Sequence, residues 1–323
     1  MIAIRLANAW ALFQGLLIEA LPFLLIGVLI SALARWLSPG GGWVRRLPSN
    51  PLLGPLTGAG LGFALPACEC GNVPVARQLL VAGAPLGAAL GFLFAAPVLN
   101  PIVLASTFAA FPDQPWLLLA RPLGAVVVAV GLALLLRLVQ ETELLRPELL
   151  AERRLNQPLS EVSLLERSGG MLGAPAVTAA APLPARAARP SLSELMRHGG
   201  NEFLQLALLL VLGCLIAALV QTFVPRGGLL AVGAAPTLSI LALMLLAWVV
   251  SVCSSVDAFL ALSFAAQVTP GALLAFLLLG PVVDLKLLGL LGLLFRPLGL
   301  VLTAAGASLL VLLIGQWVNL WRL

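Results

Sequence analysis

The chain has 323 residues, 61% of them hydrophobic and only 10% charged, with mean hydropathy +1.10. A soluble domain carries about 25% charged residues, so a soluble enzyme, a DNA-binding domain and a disordered chain are all excluded. The net charge of +5 comes from 18 Lys and Arg against 13 Asp and Glu; we read the excess as arginines flanking membrane helices, and no nucleic-acid partner is expected.

Residues 8–36 form a first apolar stretch that follows Arg5 and contains Glu19. It is too long for a signal-peptide core and long enough to cross a bilayer, which takes about 20 residues. A second helix is expected over 51–66. Residues 68–111 form a broken region, interrupted at Gly71, Pro74, Pro85, Pro97 and Pro101. Proline removes a backbone donor and clashes with the preceding turn. In a membrane the freed carbonyls are tolerated where they face protein or a cavity. A final helix over 114–139 closes the first transmembrane unit, 1–139.

Residues 140–198 carry mixed charges and Pro158, Pro182, Pro184 and Pro190. This stretch is expected to be a largely flexible linker. Its first part, QETELLRPELLAERRL, reads as a short amphipathic helix, and His198 at its end reads as solvated. The second transmembrane unit, 199–323, repeats the pattern. A long helix covers 200–224 and includes Glu202, and a second covers 235–252. A broken region with Pro270 and Pro281 covers 253–294, and a last helix covers 296–321.

Four landmarks recur in the same order in the two units. Arg121-Pro-Leu-Gly returns at Arg296. FLFAAPVLNP from Phe92 resembles FLLLGPVVDLK from Phe276. ACECGNVPVA from Ala67 lines up with VCSSVDAFLA from Val252. Glu19 and Glu202 each stand in the first helix. The fold expected is therefore an all-α polytopic membrane protein of two related halves with broken helices and about 8–10 spans. The loop after the first helix holds Arg35, Arg45 and Arg46, whereas the matching loop holds only Arg226. The positive-inside rule then favours inverted repeats with the linker in the cytoplasm.

Charged groups in apolar helices are costly and need a reason. Here they gather at the breaks: Cys68, Glu69, Cys70 and Asn72 in the first unit, Cys253, Ser254 and Asp257 in the second. Asn100 and Asp284 occupy matching places after Pro97 and Pro281, with Lys286 close behind. Two thiols and a carboxylate offer soft and borderline ligands for Zn²⁺, Cu(I) or a trivalent metalloid. Cys68, Glu69, Cys70, Cys253 and Asp257 are thus candidate metal ligands, while Asn72, Asn100, Ser254 and Asp284 are candidate cargo contacts. Cysteine is also a small buried packing residue, and that alternative stays open. Glu19, Glu202, Asp284 and Lys286 are candidates for proton coupling or intramembrane ion pairs. Arg121 and Arg296 read as anchors of helix ends, and Cys214 as packing.

Neither a Walker A motif nor a His-Glu-x-x-His pair is present, and with one histidine a serine triad has no base. An enzyme is not expected: a thiol oxidoreductase using Cys68 and Cys70 ranks last, because two cysteines separated by one residue make a strained disulfide, and no resident cofactor is expected.

At CECGNVPVARQLL, APVLNP, SVCSSVDAF and GPVVDLK the sequence resembles the family of predicted permeases that includes the trivalent organoarsenical efflux permeases. The resemblance covers all but the linker and is nearest the Cys-Glu-Cys-Gly branch. It implies a multi-pass permease of the cytoplasmic (inner) membrane. Cys68, Glu69, Cys70, Gly71 and Pro74 match the first motif, and Cys253, Asp257, Pro281 and Asp284 the second. The arsenical branch implies efflux of thiol-binding trivalent organoarsenicals, and the carboxylate of Cys-Glu-Cys favours a divalent cation such as Zn²⁺. The resemblance also implies a second membrane or periplasmic subunit as a partner beside the lipid bilayer. The expected function is a secondary permease for a thiophilic metal ion or metalloid. The alternative is a non-transporting subunit or scaffold with structural cysteines.

Overall fold

The computed structural model describes residues 2–37, 42–65, 68–155, 192–223 and 236–322. Every regular element among them is helical: α1 (Ile2–Leu37), α2 (Leu53–Ala64), α3 (Glu69–Val81), α4 (Leu86–Leu99), α5 (Pro101–Ala110), α6 (Pro115–Arg137), α7 (Glu141–Leu144) and α8 (Pro147–Leu155). The chain resumes with α9 (Leu192–Phe223), α10 (Pro236–Val250), α11 (Asp257–Leu262), α12 (Pro270–Leu279), α13 (Leu285–Leu291) and α14 (Pro297–Arg322). Five helical stretches are long and apolar enough to cross a membrane: α1, α4 with α5, α6, α9 and α14. The protein is an all-α polytopic membrane protein.

Orientation follows from which ends meet. Arg35 near the end of α1 shares a cavity with Glu194 and His198 near the start of α9. At the other extreme Leu6 and Trp10 share one with Leu215 and Leu219. The two long helices therefore run antiparallel. So do α6 and α14, where Gly131 faces Leu310 and Gly306 faces Leu135.

The short helices divide the depth of the bilayer. Asn50 and Pro51 before α2, Pro85 before α4, Arg137 at the end of α6 and Arg153 on α8 line one cavity, which defines a linker face. With 12 residues α2 rises about 18 Å, short of the ~30 Å hydrocarbon core. It runs parallel to α4, with Gly54 near Gly87 and Gly62 on Ala96, and α3 then returns to the linker face. Thus α2 and α3 form a re-entrant hairpin, while α4 and α5 cross in tandem. In the second unit Asn319 near the end of α14 ties Pro236 and Gly271 together at the opposite face. Gly292, just past α13, accepts a bond from Arg146 at the linker face. Here α10 and α11 form the hairpin, and α12 and α13 cross.

The breaks fall where capping replaces the helix ladder. Asn100 accepts from the Ile102 N–H (3.0 Å), with Pro101 at the first position of α5. Asp284 does the same for the Leu287 N–H at the start of α13, just beyond Pro281. Three expected break residues are corrected: α3 runs on through Gly71 and Pro74. Pro97 likewise lies inside α4, three residues before the interruption. Pro74 still leaves its mark, since it offers no N–H to the Cys70 carbonyl one turn back. Gly71 serves contact instead of a break: a Cβ on Gly27 of α1 would lie 2.3 Å from the Gly71 carbonyl oxygen.

The 140–198 stretch is only partly linker in character. Its beginning forms α7 and α8, and α9 starts at Leu192, so His198 lies on a helix, exposed as expected. Pro158, Pro182, Pro184, Pro190 and Arg226 lie outside the described residues.

Candidate functional site

Cys68 is the N-cap of α3 and Glu69 its first residue. Both are held against the turn before α11. Sγ of Cys68, a carboxylate oxygen of Glu69 and Sγ of Cys253 lie within 4.8 Å of one another, all buried. Ser254 Oγ donates to Glu69 Oε2 (3.2 Å), and the Cys253 thiol lies 3.9 Å from the same oxygen. On the other side Lys286 Nζ donates to Glu69 Oε1 at 3.1 Å. That ammonium is also 3.7 Å from Asp284 Oδ2. Glu69 therefore stands between two thiols and a cation, and Lys286 between two carboxylates.

The remaining sequence candidates fall around this centre. Cys70 is buried beside Cys68 and Lys286 but lies outside the close three-residue group. Asn72 sits one turn along α3, wholly buried, and neither its Oδ1 nor its Nδ2 has a hydrogen-bond partner among the described residues. Asn100 is engaged as a cap. Glu19, half-buried on α1, has Lys286, Glu69 and Cys253 as its polar neighbours. Glu202 does not mirror it. Its carboxylate is 3.5 Å from Arg77 at the linker face.

Asp257 departs from its expected place among the metal ligands. Both of its oxygens accept from Arg121 Nη2, at 2.8 and 2.6 Å. Arg121 also donates to Thr107 Oγ1 (2.6 Å) and to the Ser254 carbonyl (3.2 Å). Reading Arg121 as the anchor of a helix end is corrected: its side chain is wholly buried, six residues into α6. Its cost of burial is met by a carboxylate from the other half of the chain. Arg77 carries no role in the sequence reading, and Arg121 carries only that of an anchor. The available signal in both cases was an arginine inside an apolar run.

The arrangement has a reciprocity. Lys286 of the second unit neutralises Glu69 of the first, and Arg121 of the first neutralises Asp257 of the second. Ser254 joins the two pairs, with its hydroxyl on Glu69 and its carbonyl on Arg121. Chemically the centre offers two soft thiols and one exchangeable carboxylate in a dry setting.

Comparison with known proteins places the chain. A family model described as "Predicted permease" matches residues 5–319. The "UPF0718 protein YcgR" of Bacillus subtilis (strain 168) is 36% identical over 279 residues, covering 85% of each chain. A "Putative two-component membrane permease complex subunit" of Streptococcus mutans is 31% identical over 306 residues, 94% of this chain and 92% of that one. No solved structure matches. With the family model spanning almost the whole chain, this multi-pass integral membrane protein belongs to the predicted permease family.

Proposed function

We propose that the protein is a secondary permease that moves a thiophilic metal ion or metalloid, Zn²⁺-like or trivalent arsenical, across the cytoplasmic membrane. The observation that carries this reading is the buried group of Cys68, Glu69 and Cys253, assembled from both halves of the chain. We take those halves, 1–139 and 199–323, as inverted repeats. The antiparallel pairing of α1 with α9 and of α6 with α14 supports this.

Lys286 gives the site a way to handle charge. An entering cation takes Glu69 from Lys286, and the ammonium falls back on Asp284 Oδ2, which has no other partner among the described residues. A neutral trivalent metalloid would bind Cys68 and Cys253 and leave the ion pair intact. Asn72 supplies a donor and an acceptor for a hydroxyl or water carried with either cargo. Glu19 and Asp284 are the groups placed to take up a proton as cargo leaves. The Streptococcus relative's description as a complex subunit supports a second membrane component.

The test is flux into tight liposomes of Zn²⁺ and of a trivalent arsenical. Flux of one of them by the wild type, lost in Cys68→Ser and in Cys253→Ser with insertion unchanged, is expected. Undiminished flux in both variants would remove the site, and no flux with the co-purified partner present would remove the function.

A further inference from the structure

The centre lies a short distance from a polar cavity at the linker face. This cavity, of about 440 Å³, is lined by Arg77 on α3, Glu202 and Gln205 on α9, Gly289 on α13, and Glu148 and Glu152 on α8. Two helices lead to it from the site. From Glu69 to Arg77 is eight residues of α3, about 12 Å, and from Lys286 to Gly292 about 9 Å. Gly213 of α9 faces the backbone of Lys286, and Leu209 lines the cavity. Along these helices the apolar Val73, Leu210 and Leu290 are wholly buried.

The roof of the cavity is α8, and its fastenings bridge the two halves. Glu152 pairs with Arg77 (2.8 Å), and Arg153 donates to the Ala84 carbonyl (3.2 Å) on the first-half side. Towards the second half, the Arg146 N–H donates to Leu294 O and the Arg296 N–H to Leu144 O, both 2.9 Å. These two bonds make an isolated antiparallel bridge between Leu145 and Phe295. Arg146 Nε also donates to Gly292 O (2.8 Å), and Leu144, Leu145 and Leu149 are buried against the core, so the part of the fastening that breaks most cheaply is the ion pairing, which keeps part of its water. Among the charged groups lining the cavity three carboxylates outnumber two arginines, which favours cations and neutral solutes over anions.

We propose that this cavity is the linker-face mouth of the permeation path and that α7–α8 is the bar that closes it. The proposal rests on the permease reading and adds the route and its gate. Opening parts the Leu145–Phe295 bridge and the Arg77–Glu152 pair together, and admits cargo to Glu69 past Val73, Leu210 and Leu290.

The experiment reads the gate without transport. A membrane-impermeant maleimide is applied at the linker face of full-length protein in vesicles. Modification of Cys68 and Cys253 is followed site by site by mass spectrometry. Glu152→Gln with Arg153→Gln is expected to speed labelling about tenfold, through loss of the Arg77–Glu152 pair and of the Arg153–Ala84 hydrogen bond. Leu145 and Phe295 form a non-hydrogen-bonded pair, with Cα atoms ~4.5 Å apart in such bridges, within disulfide reach. Leu145→Cys with Phe295→Cys, oxidised, is expected to suppress labelling, and reduction to restore it in the same sample. Wild-type labelling rates in the released variant, or equal rates in the oxidised and reduced staple, overturn the proposal. Liposome flux on the same samples tests the permease reading separately: a gate that responds in a protein with no flux would keep the gate and sink the permease.

Discussion

At the linker face Arg77 meets Glu152 with 18% and 36% of the side chains exposed, whereas at the centre Lys286 meets Glu69 with 3% and 1%. Both contacts are charge pairs of similar length, 2.8 and 3.1 Å, yet they obey different energetics. An exposed pair contributes about 0–1 kcal/mol, because water competes for both ions. A buried pair gains little over an apolar replacement, but losing one partner strands a charge at about 3–5 kcal/mol. The Arg77–Glu152 pair at the linker face is thus a contact that breaks cheaply, and the centre is built from contacts that hold together as a set. For a membrane protein that must admit a solute, the difference separates what can move from what must stay.

The comparison can be broken most forcefully at the centre. Lys286→Met leaves Glu69 and Asp284 without their cation and is expected to cost about 3–5 kcal/mol, seen as a large drop in thermal stability in detergent. Lys286→Met combined with Glu69→Gln should recover much of that loss, since no Glu69 charge is then stranded. Equal stability of the single and double variants would show that Lys286 does not serve Glu69. Arg121→Leu should behave likewise, with Asp257→Asn as its rescuing partner.

Next in size is the close approach of α1 to α3. Gly27→Ala places a methyl against the Gly71 backbone and should cost about 1–3 kcal/mol through overpacking. A wild-type melting temperature for this variant would mean that the two helices can separate without penalty. The smallest expected effect is at the linker face. Glu152→Gln should shift stability by less than about 1 kcal/mol while raising maleimide access to Cys68. A large loss of stability with unchanged access would make α8 a brace and dissolve the contrast.

Much of this arrangement was legible from residue chemistry. Cys68, Glu69, Cys253, Ser254, Asp284 and Lys286 could be grouped beforehand because polar atoms in apolar segments cannot face lipid and must find one another. Helix positions followed from the apolar runs. What was hidden depended on which way a side chain turns. Arg121 stands beside Pro122 at the border of two apolar blocks, so it looked like a flank, yet its partner comes from the opposite half of the chain. Glu19 and Glu202 occupy matching places in sequence, but one looks into the centre and the other to Arg77. Gly71 and Pro74 carry the residue types of a break. The interruption lies before Cys68 instead, because Cys68 caps α3 and a proline inside a buried helix can be tolerated by its neighbours.

The reciprocal placement of Lys286 and Arg121 bears on how the molecule keeps its integrity. Each half supplies the counter-ion that the other cannot do without, so either half made alone would carry a naked charge into the bilayer. Continuity of the backbone between them is then a convenience of synthesis. A gene split between the codons for Asn156 and Ser191 should yield two fragments that are each degraded when expressed singly and that accumulate as a stable pair when expressed together.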